Sequence, residues 1–140
     1  MNSNVNTTQE DIATTILIAD DDEDILALVQ RALSESGYEI LVARDGATAL
    51  ATARERKPAL ALLDVAMPEP DGYEVTSALK NDPATKDTIV ILFTARSEAS
   101  DVEKGYEAGA DDYIMKPFTL KTLQSRVLAA LEQAKGSAHR

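Results

Sequence analysis

The chain is expected to fold as an α/β protein, a doubly wound parallel sheet with helices on both faces, and three observations lead there. Five short apolar runs alternate with five helical patterns along the chain. The central runs, LALL before Asp64 and IVILF before Thr94, contain no polar residue, which is how strands buried on both faces read. Each run closes on a turn or a polar side chain, and strictly alternating strands and helices imply right-handed crossovers. At 140 residues the chain is long enough for one domain with a two- or three-layer core.

Taken in order, residues 1–13 are polar and without periodicity and read as a disordered tail. The domain follows over 14–134, with 135–140 as a C-terminal tail. Ile16-Leu17-Ile18-Ala19 is the first strand. Ile25, Leu28, Val29, Ala32 and Leu33 then recur at helical spacing, and Gly37 ends that helix. Ile40 to Ala43 is the second strand, and Asp45-Gly46 turns the chain into a helix with Ala47, Leu50, Ala51 and Ala53 inward. Lys57-Pro58 stops it. The third strand runs into Asp64, and a helix with Val75, Ala78 and Leu79 inward breaks at Asp82-Pro83. After the fourth strand, Ser97 can cap a helix over Glu98 to Ala108 with Ala99, Val102 and Tyr106 on one side. Asp112 to Met115 is a short fifth strand, and the last helix turns Leu120, Leu123, Val127, Leu128 and Leu131 inward before fraying at Gly136.

In such sheets ligands bind at the carboxyl edge of the strands. That edge collects Asp20 and Asp21 after the first strand, Asp64 after the third, Thr94 after the fourth and Lys116 after the fifth. Asp64 alone reads first as a turn cap; the company it keeps argues otherwise. Three converging carboxylates repel one another, and a hard divalent cation relieves that conflict. Oxygen ligands without His or Cys favour Mg²⁺ over Zn²⁺. Lys116 supplies a point charge and Thr94 a hydroxyl, both suited to phosphoryl oxygens. A carboxylate can itself accept a phosphoryl group as an aspartyl-phosphate, a transfer that needs positioning and neutralisation more than a strong base.

Composition narrows the partners. Acidic residues outnumber basic ones 24 to 14, a net charge of −10 that opposes direct contact with nucleic acid and anionic membranes. Cysteine is absent, which excludes disulfides and thiolate metal sites. Neither a membrane-spanning run nor a secretory signal is visible, so the expected location is cytoplasmic.

With ILIADD, LLDVAMPEPDGYEV, ILFTAR and GADDYIMKPF in this order and spacing, the chain resembles the receiver domain of bacterial two-component response regulators from about Ile16 to Leu131. The resemblance implies a flavodoxin-like fold with strand order 2-1-3-4-5. It implies that Asp64 accepts a phosphoryl group from a histidine kinase or histidine phosphotransfer protein, with no further enzymatic activity. Asp21, Asp64 and the Ala66 backbone carbonyl would bind Mg²⁺, Asp20 would help through water, and Thr94 and Lys116 would grip the phosphoryl oxygens. Lys116-Pro117 would be a cis peptide. Thr94 and an inward-turning Tyr113 would switch the face made by the fourth helix, fifth strand and last helix, for a downstream protein that binds on phosphorylation. Without such a switch, Tyr113 is an ordinary half-exposed ring on an edge strand.

Three departures from the family pattern carry expectations. Ala66 offers neither a polar group nor bulk beside the acceptor, and Arg96, two residues past Thr94, is placed to modulate loss of the phosphoryl group. Val102 and Thr122 occupy positions where regulators that dimerise on this face to bind DNA usually carry opposite charges, although Asp111 and Arg126 keep others of that pattern. A monomer or weak dimer is therefore expected. Only EQAKGSAHR follows Leu131, which reads as a stand-alone receiver without a DNA-binding module, the alternative being a receiver taken from a longer regulator or hybrid kinase. Two rivals fail on residues. DDDED is not a calcium loop, because Ile25 and Arg31 stand where glycine and glutamate are needed. A phosphohydrolase with its nucleophile at the first strand would need a substrate pocket and cap that this length does not supply. His139, in the tail, is assigned no chemistry.

Overall fold

The computed structural model describes residues 14–95 and 99–138, with side chains over 14–95 and 102–134. The tail at 1–13, Arg96, Ser97 and His139 lie outside the described residues. Five strands form one sheet: β1 (Thr15–Ala19), β2 (Glu39–Ala43), β3 (Leu60–Asp64), β4 (Ile89–Thr94) and β5 (Asp112–Met115). Their order is β2-β1-β3-β4-β5 and every pairing is parallel, the flavodoxin-like arrangement. Helices α1 (Glu23–Ser34), α2 (Gly46–Arg56), α3 (Gly72–Lys80), α4 (Ala99–Ala108) and α5 (Leu120–Ala138) make the crossovers and the final layer.

Side chains alternate between the two faces of each strand, and two cores result. Ile16, Ile18, Leu60, Leu62, Ile91 and Phe93 pack with Leu26, Val29 and Leu33 of α1 and Leu123, Val127 and Leu131 of α5. Leu17, Ala19, Ala61, Leu63, Val90, Leu92 and Tyr113 pack on the other face, with Ala49 and Ala53 of α2 and Tyr73, Val75 and Leu79 of α3.

The starts of α1, α2 and α3 are fixed by acid caps. Asp22 accepts from the Asp24 and Ile25 N–H groups, Asp45 from that of Thr48, and Asp71 forms a reciprocal capping box with Glu74. Such caps satisfy donors that the first turn leaves orphaned.

Several inward assignments shift. In α1, Leu28 is 46 % exposed and Leu26 is buried in its place. In α2 Ala53 faces the sheet as expected, but Ala49 joins it in place of Ala47 and Ala51, which are exposed. Tyr106 of α4 is exposed, and so are Leu120 and Leu128 of α5. The common cause is that a helix resting on a twisted sheet buries a narrow stripe, and apolar residues on its flank fit the period without being covered. Finally, α5 continues through Gly136 to Ala138 instead of ending at the glycine. Among the described residues, no helix is long and apolar enough to cross a membrane.

Candidate functional site

Strand register alone brings the acidic groups together. Ala19 pairs with Leu63, so Asp20 and Asp64 fall at matching positions on adjacent strands. Asp64 pairs with Phe93 and Thr94 with Met115, which puts Thr94 one step and Lys116 two steps further along the same edge. The Lys116 N–H donates to the Thr94 carbonyl at 2.7 Å, holding the start of the β5–α5 loop against the end of β4.

Asp20 is fully buried and Asp64 is 5 % exposed, whereas Asp21 is open to solvent. One carboxylate oxygen from each lies within 4.8 Å of the other two. Lys116 reaches into this group, its Nζ donating to Asp20 Oδ2 at 2.9 Å and to Asp64 Oδ1 at 3.4 Å. The ammonium also stands 4.8 Å from the centre of the Phe93 ring, within cation–π range. Asp20 Oδ1 accepts the Asp22 N–H at 2.9 Å, so both oxygens of the most buried carboxylate are occupied.

Electrostatically the site holds more negative charge than it neutralises. Burial, and next the charge of Asp20, raise the Asp64 carboxyl above its ordinary value; Lys116 and the Ala66 N–H act against that rise without cancelling it. For Lys116, burial would lower the ammonium, but the hydrogen bond to Asp20 and the charges of Asp64 and Asp20 outweigh it and hold the group above its usual range. One ammonium thus serves two buried carboxylates with a third beside them. An all-oxygen donor set with uncompensated negative charge fits a hard divalent cation such as Mg²⁺.

Asp64 is also held by contact. A Cβ placed on Gly72 would stand 2.6 Å from the Asp64 carbonyl oxygen and 2.8 Å from Val65 Cα, so only glycine lets α3 begin this close to the end of β3. The Gly72 N–H donates to the Val65 carbonyl at 3.1 Å, closing the loop between them. Within that loop Val65 and Met67 are buried while Ala66 is exposed. The Glu69–Pro70 and Lys116–Pro117 peptide bonds are cis.

Of the residues expected at the site, Asp20, Asp21, Asp64 and Lys116 converge, and Thr94 ends the adjoining strand, buried. Ala66 presents its backbone N–H to the Asp64 carboxylate. Tyr113 is set back from the edge: it pairs with Leu92, two residues before Thr94, and so shares the α4 face of the sheet with Thr94. Its ring is 7 % exposed, not half-exposed, and its hydroxyl has no hydrogen-bond partner among the described residues. Sequence reading missed Phe93 beneath Lys116 and the role of Gly72. The first carries no motif signal; the second belongs to the Asp71-Gly72 pair, a turn signal that says nothing of the close approach to Asp64.

Residues 16–128 match the family model of the response regulator receiver domain. The transcriptional regulatory protein PrrA of Mycobacterium tuberculosis is 44 % identical over 88 % of this chain and 52 % of its own length. The alkaline phosphatase synthesis transcriptional regulatory protein PhoP of Bacillus subtilis is 40 % identical over 88 % of the chain and 50 % of its own. The chain therefore spans about half the length of these curated relatives. Among solved structures, the signal receiver domain of a histidine kinase from Syntrophus aciditrophicus superposes with a TM-score of 0.81 at 36 % identity, covering 86 % of this chain and 92 % of that one.

Proposed function

The chain belongs to the response regulator receiver domain family of two-component signalling, and from that premise we propose that Asp64 accepts a phosphoryl group from a phosphohistidine on a histidine kinase or phosphotransfer protein. An Asp64 oxygen attacks phosphorus as the P–N bond breaks, giving an acyl phosphate on Asp64 and leaving the imidazole to keep its electron pair and take a proton from water. The observation that carries this reading is the convergence at the sheet edge of three carboxylates, two of them buried, with one ammonium.

Asp21, Asp64 and the Ala66 carbonyl would hold Mg²⁺, with Asp20 acting through water. When bound, Mg²⁺ supplies positive charge to the carboxylates and to the phosphoryl oxygens. Lys116 changes partners during the transfer: its ammonium, shared between Asp20 and Asp64 in this state, becomes a donor to the phosphoryl group. Thr94 donates its hydroxyl to another phosphoryl oxygen. Because Thr94 and Tyr113 lie on one face of neighbouring strands, a displaced Thr94 side chain changes the space beside the Tyr113 ring. That couples phosphorylation to the surface of α4, β5 and α5, where a downstream protein binds.

The net charge of −10 supports a signalling rather than nucleic-acid-binding role for this segment itself. Val102 and Thr122 support a monomer or weak dimer. Incubation with acetyl phosphate tests the assignment against a phosphohydrolase. Phosphate release that needs Asp64 and stays slow after one equivalent fits the receiver; fast repeated release that survives Asp64→Asn refutes it. The switch is tested separately by the Tyr113 ring environment with and without beryllofluoride, where an unchanged ring contradicts it.

A further inference from the structure

Helix α4 meets β5 through a glycine. Gly105 is buried, and a Cβ built on it would stand 3.1 Å from Tyr113 Cε2, 3.2 Å from Tyr113 Cδ2 and 3.0 Å from Leu92 Cδ1. The Tyr113 ring therefore lies against the helix backbone, a few tenths of an ångström closer than a side-chain carbon at residue 105 would allow. Leu92 Cδ1 is the end of a flexible side chain and can turn aside. The ring is hemmed by Tyr106, with centroids 6.5 Å apart, and by the helix itself.

Backing the helix away is the other way to make room, and the chain just past its carboxyl end is tied down by three hydrogen bonds. The Asp111 N–H donates to the Val90 carbonyl at 2.8 Å, and Asp111 Oδ2 accepts from the Val90 N–H at 2.8 Å and from Lys80 Nζ at 2.9 Å. One turn earlier, the Lys104 ammonium sits 4.8 Å from the centre of the Tyr73 ring at the start of α3. Between a tethered helix and a ring at the edge of the sheet, the ring is the part that can leave, by rotation towards solvent.

We infer that Gly105 sets the poise of Tyr113: its missing side chain is the slot that admits the ring, and a methyl group there shifts the ring outward whatever the state of Asp64. This rests on the proposed function only in taking Tyr113 as the reporter of phosphorylation. Gly105 is a positioning residue and touches no reacting atom.

The test uses the full chain with fluorotyrosine incorporated and the Tyr113 signal assigned by Tyr113→Phe. In Gly105→Ala without phosphodonor, the Tyr113 resonance is expected to move towards its solvent-exposed position, with Asp64 still labelled by acetyl phosphate as in the unsubstituted chain. Stability supplies a second reading with a predicted sign. Alanine is the better helix former by about 1 kcal/mol, close to a fivefold gain in the folding equilibrium. In a Tyr113→Ala background, Gly105→Ala should show that gain, whereas with Tyr113 present the gain should vanish or become a loss. If Gly105→Ala fails to fold but the double variant folds, the clash with the ring is supported. A Tyr113 resonance unmoved by Gly105→Ala, an equal gain in both backgrounds, or a double variant that also fails to fold overturns the inference. The proposed function fails differently, by an unsubstituted chain whose Asp64 does not label or whose Tyr113 ignores beryllofluoride.

Discussion

Asp64 occupies a position where its own charge works against the fold, and the same conflict suits it to its proposed task. Burial and the neighbouring Asp20 both disfavour its ionised form, and Lys116 offsets this only in part. Removing the charge should therefore help the resting protein: in metal-free buffer at neutral pH, Asp64→Asn is expected to raise the melting temperature, and an unchanged or lower value would contradict the electrostatic picture. Lys116→Ala should act oppositely. It leaves Asp20 and Asp64 buried without their cation, which costs roughly 3 kcal/mol when a buried pair is broken, and denaturant titration should show the loss. The identities of these residues were legible from the chain because each sits at the end of an apolar run. What could not be read was the sharing of one ammonium by two carboxylates, or Phe93 under it, since both depend on side-chain directions that strand register decides.

Contacts between elements tie the site to its surroundings. Gly72 lets α3 start against the carbonyl of Asp64, and Gly72→Ala should cost about 1–3 kcal/mol by overpacking, while slowing labelling of Asp64 by a small phosphodonor. Between the last helix and the last strand, Arg126 of α5 donates to both oxygens of Asp112 at the start of β5, at 2.8 and 2.6 Å. Burial would raise the Asp112 carboxyl, but the Arg126 hydrogen bonds and the Tyr113 N–H overcome it and hold the group below its ordinary value. A carboxyl depressed in the folded state stabilises the fold above its unfolded pKa, and that contribution is lost as pH falls through the folded value. Arg126→Ala should thus cost about 1 kcal/mol near neutrality, in keeping with a partly exposed pair. The difference from the unsubstituted chain should close at acid pH, below the ordinary carboxylate range, as melting curves across that range would show.

Element type was readable throughout, because apolar runs of three to five and helical spacing are distinct patterns. Which side of each helix faced in was less so. Leu26 and Leu28 both fit an apolar stripe, and the alanines of α2 give almost no contrast between faces. Burial there depends on how the helix sits on the sheet, which local periodicity does not contain.

At the scale of the whole molecule, the topology explains why distant residues meet. Asp20, Asp64 and Lys116 are separated by 96 positions from first to last, yet β1, β3, β4 and β5 are consecutive in the sheet and all end at one edge. The excess acid gathered there predicts a thermodynamic response to metal. Millimolar-scale Mg²⁺ should raise the melting temperature of the unsubstituted chain by mass action, and Asp21→Asn should blunt the rise. No response in the unsubstituted chain would mean that the carboxylates do not form a cation site.

The central claim is that this edge makes Asp64 a phosphoryl acceptor, and intact-mass spectrometry with peptide mapping tests it most directly. Incubated with acetyl phosphate and Mg²⁺, the chain should acquire a single phosphoryl adduct that maps to Asp64 and disappears in Asp64→Asn. An adduct of equal yield in Asp64→Asn, or none on the unsubstituted protein, would contradict the account.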